Sequence, residues 1–179
     1  MSPRLNTWLR SSTLFAAALC GAALFASPAR AATTNYLVPA TGVSTVWFSD
    51  QQVLAVSQAR TDPGAPIIQW DDTGGDEQRW YFDEAHDRFG NFLAYLLRNK
   101  NSNLCLGYDG TPGDQLFQEP CDVGDLNQYY DFAPGPHLAH LVSGDVIDIW
   151  GASDWRGAPI DLWPDNGQWN QEVYVVTVY

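Results

Sequence analysis

Near its C-terminal end the chain gathers five side chains whose types suit the holding of a ligand. The stretch "VIDI" carries Asp148, "IDLW" carries Asp161 and Trp163, and "WNQ" carries Asn170 and Gln171. A carboxylate accepts hydrogen bonds from two neighbouring hydroxyls at once, and such charge-assisted bonds are among the stronger ones. An indole offers its electron-rich face to a surface of C–H groups, and an amide both donates and accepts. Brought together at one turn, the set suits a polyhydroxylated ring. The same two aspartates are also the minimum that a glycosidase requires, so hydrolysis is the rival chemistry.

Other chemistries find fewer parts. There is no serine elbow and no Cys–His nucleophile pair. His137 and His140 lie in "PGPHLAHLV", which reads as a strand after a turn, and alternation sends them to opposite faces. Two cysteines and these histidines do not complete a metal's ligand set. Neither a metal nor a cofactor is expected.

Length and composition bound the setting. Residues 1–31 have a basic start, the apolar run "TLFAAALCGAALFA" and a small-x-small ending at Ala29-Arg30-Ala31. This is the layout of a secretory signal cleaved near Ala31, with an apolar run too short to span a bilayer. A lipoprotein signal is the poorer fit, because Leu19 precedes Cys20 where a small side chain is wanted. The expected product is one exported domain, residues 32–179, with no membrane insertion. All 21 acidic residues but only six of the nine basic ones lie in it, within a chain of formal net charge −12. Such a surface repels phosphate backbones, which excludes nucleic acid as a partner. Cys105 and Cys121 are the two cysteines left in the exported portion, and they read as one disulfide.

Positioning the five residues falls to a repeated unit. The passages beginning at Val53, Leu104 and Val146 each run from a short apolar strand across a Gly/Asp/Pro turn to a second strand. Each then makes a polar loop and closes on a glutamine (Gln78, Gln128 or Gln171) followed by an apolar strand. The turn glycines Gly64, Gly113 and Gly157 keep the register. No sustained helical period is present, and "FLAYLL" at Phe92 to Leu97 reads as a buried strand. The expectation is an all-β domain of three copies, about residues 45–88, 92–135 and 138–179, sharing one core.

These passages resemble the ricin B-type β-trefoil lectins. The resemblance rests on "QRW" at Gln78–Trp80, on "QYY" at Gln128–Tyr130, and on "NKNSNLCL" running on to "QEPC". It implies a β-trefoil in which Cys105 and Cys121 pair inside one repeat. The third ending departs, with Val173 where the family has an aromatic core residue.

The resemblance also assigns roles. Asp148 falls at the family's carboxylate position, Trp163 at the stacking ring, Asp161 where a polar hydrogen-bonder is common, and Asn170-Gln171 at the amide pair. Flanked by Ile147 and Ile149, Asp148 shares a strand face with neither, so its charge is aimed away from the apolar side. Trp150, Trp155 and Trp169 add ring surface to the same repeat. The first repeat keeps Trp70 but has Ala55 and Ile68 in place of the acids and Glu77 in place of the asparagine. The second has Gly107 for the acid and Glu119 for the ring, with Asp109 as a possible stand-in. One working copy and two scaffolding copies are expected.

The implied function is a secreted, non-catalytic lectin binding glycans or glycoconjugates, most often galactose-bearing ones in the resembled family. The alternatives are a binding or delivery subunit for a separate protein partner, a toxin or an enzyme, and a small glycosidase.

Overall fold

A computed structural model describes residues 35–178. The expected signal at residues 1–31 lies outside them. After a short leading strand β1 (Tyr36–Val38), the chain makes three groups of four strands. The first group is β2 (Val43–Phe48), β3 (Gln52–Val56), β4 (Ile67–Asp71) and β5 (Trp80–His86). The second is β6 (Phe92–Asn99), β7 (Cys105–Gly107), β8 (Phe117–Glu119) and β9 (Tyr130–Ala133). The third is β10 (His137–His140), β11 (Val146–Ile149), β12 (Ile160–Trp163) and β13 (Val173–Val178). In each group a single 3-10 turn ending on the repeated glutamine precedes the last strand.

The outer strands of the groups form a barrel wall. β2 pairs with β5, β5 with β6, β6 with β9, and β9 with β10, all antiparallel. β13 returns to β2 over the whole register from Val173↔Phe48 to Val178↔Val43. The remaining seam is bridged where Val173 N donates to Pro136 O at 2.6 Å. The inner hairpins β3–β4, β7–β8 and β11–β12 cap one end and interlock cyclically. Gly64 N donates to Gln118 O (2.7 Å), Gly113 N to Leu162 O (3.1 Å) and Gly157 N to Gln69 O (2.9 Å). Each repeat is thereby bonded to another through the turn glycine that set the register in the sequence. This is the β-trefoil architecture, and it leaves few free edges along which chains could aggregate.

One apolar cluster fills the centre, with each repeat contributing to it. Leu54 and Val56 from β3, Leu106 from β7, and Ile147 and Ile149 from β11 meet Ile67 from β4, Leu116 just before β8, and Ile160 and Leu162 from β12. The residue two after each repeated glutamine enters the same cluster: Trp80, Tyr130 and Val173 are all buried. Valine thus occupies the third aromatic position as a core residue. Trp80 also donates from Nε1 to Leu54 O at 3.0 Å, so its polar handle is satisfied. Removing such a ring costs about 3–5 kcal/mol through lost transfer energy and cavity formation.

Two devices stiffen the loops. Cys105 and Cys121 form a disulfide with Cα atoms 4.9 Å apart, tying β7 to the loop beyond β8. In the chain-entropy account a loop of this length contributes roughly 3 kcal/mol. The repeated glutamines brace the polar loops through the same two bonds in every copy. Gln78 accepts from Thr73 N (2.8 Å) and donates to Asp71 O (2.7 Å). Gln128 accepts from Asp122 N (2.9 Å) and donates to Pro120 O (2.9 Å). Gln171 accepts from Asn166 N (2.8 Å) and donates to Pro164 O (3.1 Å). Among the described residues no helix is long and apolar enough to cross a membrane, and no His/Cys/Asp/Glu cluster has the makings of a metal site.

Candidate binding cleft of the third repeat

Antiparallel pairing of β11 with β12 sets Asp148 directly opposite Asp161. Ile147 and Ile149 turn into the core, so strand alternation sends the carboxylate between them to the other face. There the two acids form the floor of a cleft of about 530 Å³. Trp163, the last residue of β12, stands on its wall with 47 % of its surface exposed. Asn170, from the 3-10 turn before β13, reaches the floor and donates to Asp148 Oδ2 at 2.8 Å and to Ile149 O at 3.2 Å. Four of the five residues singled out in the sequence therefore line one cleft: Asp148, Asp161, Trp163 and Asn170.

The fifth does not. Gln171 is fully buried behind the wall, where its side chain braces the loop from Pro164 to Asn166. Its place is beneath the site, positioning the asparagine beside it and the loop around it and supporting Asp148 from behind. The recurrence of the glutamine in all three copies is the signal of this role, because two of those copies lack the acid.

Burial gives the floor unusual acidity. Asp148 is 4 % exposed and Asp161 3 %. Desolvation raises Asp148 to about 6, with hydrogen bonds from Gln171, Asp161 and Asn170 opposing the rise. Desolvation, then the charge of Asp148 and the hydrogen bond between the two acids, raise Asp161 to about 7. Two carboxylates so close cannot both ionise without cost.

Part of the cleft comes from a different repeat. Pro112, Gly113 and Asp114, in the turn between β7 and β8, form the wall facing Trp163. A Cβ placed on Gly113 would come within 3.1 Å of the indole's Cζ3, and the residue's φ is +84°. Only glycine both adopts that backbone without strain and leaves the ring its room. The glycine's regular spacing was visible in the sequence; its contact across repeats was not. Trp150, Gly151 and Ala152 complete the rim together with Asn166 and Gln168. Of the extra tryptophans, only Trp150 lines this cleft. Trp155 lies instead against Gly157, beside Trp70, and Trp169 lines a shallow hollow with Ser49, Asp50, Asp154 and Glu172.

The other copies show what the substitutions do. The first repeat has a similar cleft, about 420 Å³, with Trp70 on its wall over Gly157. Its floor pairs Ala55 with Ile68, the register counterpart of Asp148 and Asp161. The scaffold is intact and the two floor carboxylates are gone, with Glu77 the one acid left on its lining. In the second repeat the Glu119 carboxylate folds onto Gly107, occupying the space an aspartate there would need. Asp109 is exposed and accepts from Thr111 N at 2.8 Å, so it caps its own turn and does not replace the missing floor carboxylate.

Comparison with known proteins agrees with this architecture. The family described as ricin-type beta-trefoil lectin domain matches residues 43–173. Among solved structures, the designed threefold-symmetric protein ThreeFoil is 25% identical with a TM-score of 0.64, covering 76% of this chain and 99% of that one. The C-half of an earthworm R-type lectin, solved in complex with GalNAc, is 22% identical with a TM-score of 0.61, covering 76% and 99%. The exo-beta-1,3-galactanase 1,3Gal43A from Clostridium thermocellum is 26% identical with a TM-score of 0.67. It is covered over only 31% of its length, against 79% of this chain. No curated protein matches the sequence.

Proposed function

From a chain that belongs to the ricin-type β-trefoil lectin family, we propose a secreted, non-catalytic lectin with one principal saccharide site, the cleft of the third repeat. The observation that carries this reading is the convergence of Asp148, Asp161, Asn170 and Trp163 on one open cleft. Trp163 stacks on a face of C–H groups of the sugar. Asp148, held by Asn170, accepts from its hydroxyls. The loop braced by Gln171 keeps that geometry. Galactose-configured sugars are the first ligands to test, in keeping with the GalNAc complex of the earthworm lectin. Export follows from the signal-like residues 1–31, and glycans or glycoconjugates outside the cell are the proposed partners.

A single open site of this kind binds weakly. A millimolar dissociation constant corresponds to about −4 kcal/mol, and a value within roughly a decade of it is expected. Useful avidity then comes from multivalent targets or from several copies bound together.

Glycoside hydrolysis fits the geometry less well. Acid and nucleophile must flank a scissile bond, about 5–5.5 Å apart in retaining enzymes and farther in inverting ones. Asp148 and Asp161 sit side by side on one floor, directly opposed across the β11–β12 pair, and so do not flank a ligand from two sides. A glycan array probed with the protein beside Asp148→Ala tests the lectin reading. Binding that is lost in the variant supports it; a folded protein that binds nothing across a broad panel refutes it.

A further inference from the structure

The floor of the third-repeat cleft is made almost wholly of hydrogen-bond acceptors. Both amide hydrogens of Asn170 are already donated, to Asp148 Oδ2 and to Ile149 O. Its own Oδ1 is buried with no donor among the described residues reaching it, and the same holds for Oδ1 of Asp161. The Asp148 carboxylate completes the set. Above the floor, Asp114 adds a further carboxylate from the opposing turn, and among the described residues no Lys, Arg or His lines the cleft. Three acceptors close together, two of them without a donor, call for a ligand group rich in donors. A hydroxyl brings one donor together with lone pairs of its own, whereas an ammonium brings three donors and no lone pair.

Resting on the lectin reading above, we infer that this cleft selects saccharides bearing a free ammonium, such as an unacetylated 2-amino-2-deoxyhexose. The two acids face one another across the strands, and burial raises both above the ordinary carboxylate range. An ammonium seated on the floor supplies the positive charge that lets both ionise, and any proton they hold leaves to solvent. A neutral sugar cannot displace it. An N-acetylated sugar has exchanged the ammonium for an uncharged amide that brings its own acceptor. A sialic or uronic acid meets only negative charge. Asp161 is the residue that decides: with an amide in its place, Asp148 alone remains as carboxylate and the site becomes one for neutral hydroxyls.

The test is calorimetric titration at pH 7 with glucose, galactose, and the 2-amino and 2-acetamido forms of each, run in two buffers of different ionisation heat. The protein should bind at least one hexosamine tenfold or more tighter than its neutral and acetylated counterparts. The binding heat should differ between the buffers in the sense of net proton release. In Asp161→Asn, checked for folding by circular dichroism, the ratio of hexosamine to neutral-sugar affinity should shrink to within about threefold. Equal or tighter binding of the neutral sugars by the unmodified protein overturns the inference and leaves the lectin reading standing. If no hexosamine binds but an array detects other glycans, the inference falls alone. If no glycan binds at all, both fall.

Discussion

Asp161 lies directly across the β11–β12 pair from Asp148, and both are buried against a floor that Asn170 helps to hold. Antiparallel pairing brings such opposed side chains within about 4.5–5.5 Å at Cβ. The pair is the chemical feature that separates the third repeat from the first, where Ala55 and Ile68 stand in the same register.

Stability should depend on pH through this pair. Both folded values, about 6 and about 7, lie above the ordinary aspartate value of 3.8. The unfolded chain therefore binds fewer protons between pH 4 and 7, and stability falls as pH rises through that window. The contribution is fully present below about pH 3.8 and lost above pH 7. Asp161→Asn should raise the thermal midpoint by several degrees at pH 8 and by much less at pH 5. An equal shift at both values would show that the two acids do not carry this pH dependence.

Gly113 should matter for binding through Trp163. Gly113→Ala puts a Cβ against the indole and strains a left-handed backbone, so binding should fall by tenfold or more. Gly64→Ala is the matched control, with φ +81° and nothing within 4 Å of the added Cβ. It should lose similar stability, about 1 kcal/mol, while sparing the site. Sugar titration beside thermal melts of both variants separates the two effects.

The bracing glutamines make a graded series. Gln128→Ala and Gln171→Ala should each destabilise by about 1–3 kcal/mol, since each leaves a loop N–H and a carbonyl without their partner. Only Gln171→Ala should also weaken sugar binding, because only its loop carries Asn166, on the cleft rim. Denaturant melts read the first effect and titration the second.

Removing the disulfide should cost stability and nothing else. The Cys105→Ala, Cys121→Ala double variant should lose about 3 kcal/mol and still bind, since neither cysteine lines the third-repeat cleft. Reduced affinity at a temperature where the variant is fully folded would contradict this.

Much of this was legible in the sequence because the trefoil writes its grammar three times. The turn glycines, the glutamine two residues before a core aromatic, and the paired cysteines each mark a backbone or core requirement, and such requirements leave fixed residue types. Asp148 was readable because isoleucines on both sides fix which way it points. What could not be read is contact between repeats. Nothing near Trp163 in the chain says that Gly113, fifty residues earlier, forms the opposite wall. Gln171 was readable as a brace from its recurrence in all three copies, because a residue that holds the loop is needed whether or not that copy binds. Nor does a one-dimensional pattern place Trp155 beside Trp70 of the first repeat.

The most direct test of the account compares Asp148→Ala, Trp163→Ala and Trp70→Ala by titration with the tightest saccharide found on the array. Trp70 is the ring of the first cleft, over a floor of Ala55 and Ile68. The account predicts that the first two variants lose detectable binding with thermal midpoints little changed, and that the third binds like the unmodified protein. Equal loss from all three, or full binding by Asp148→Ala, would contradict it.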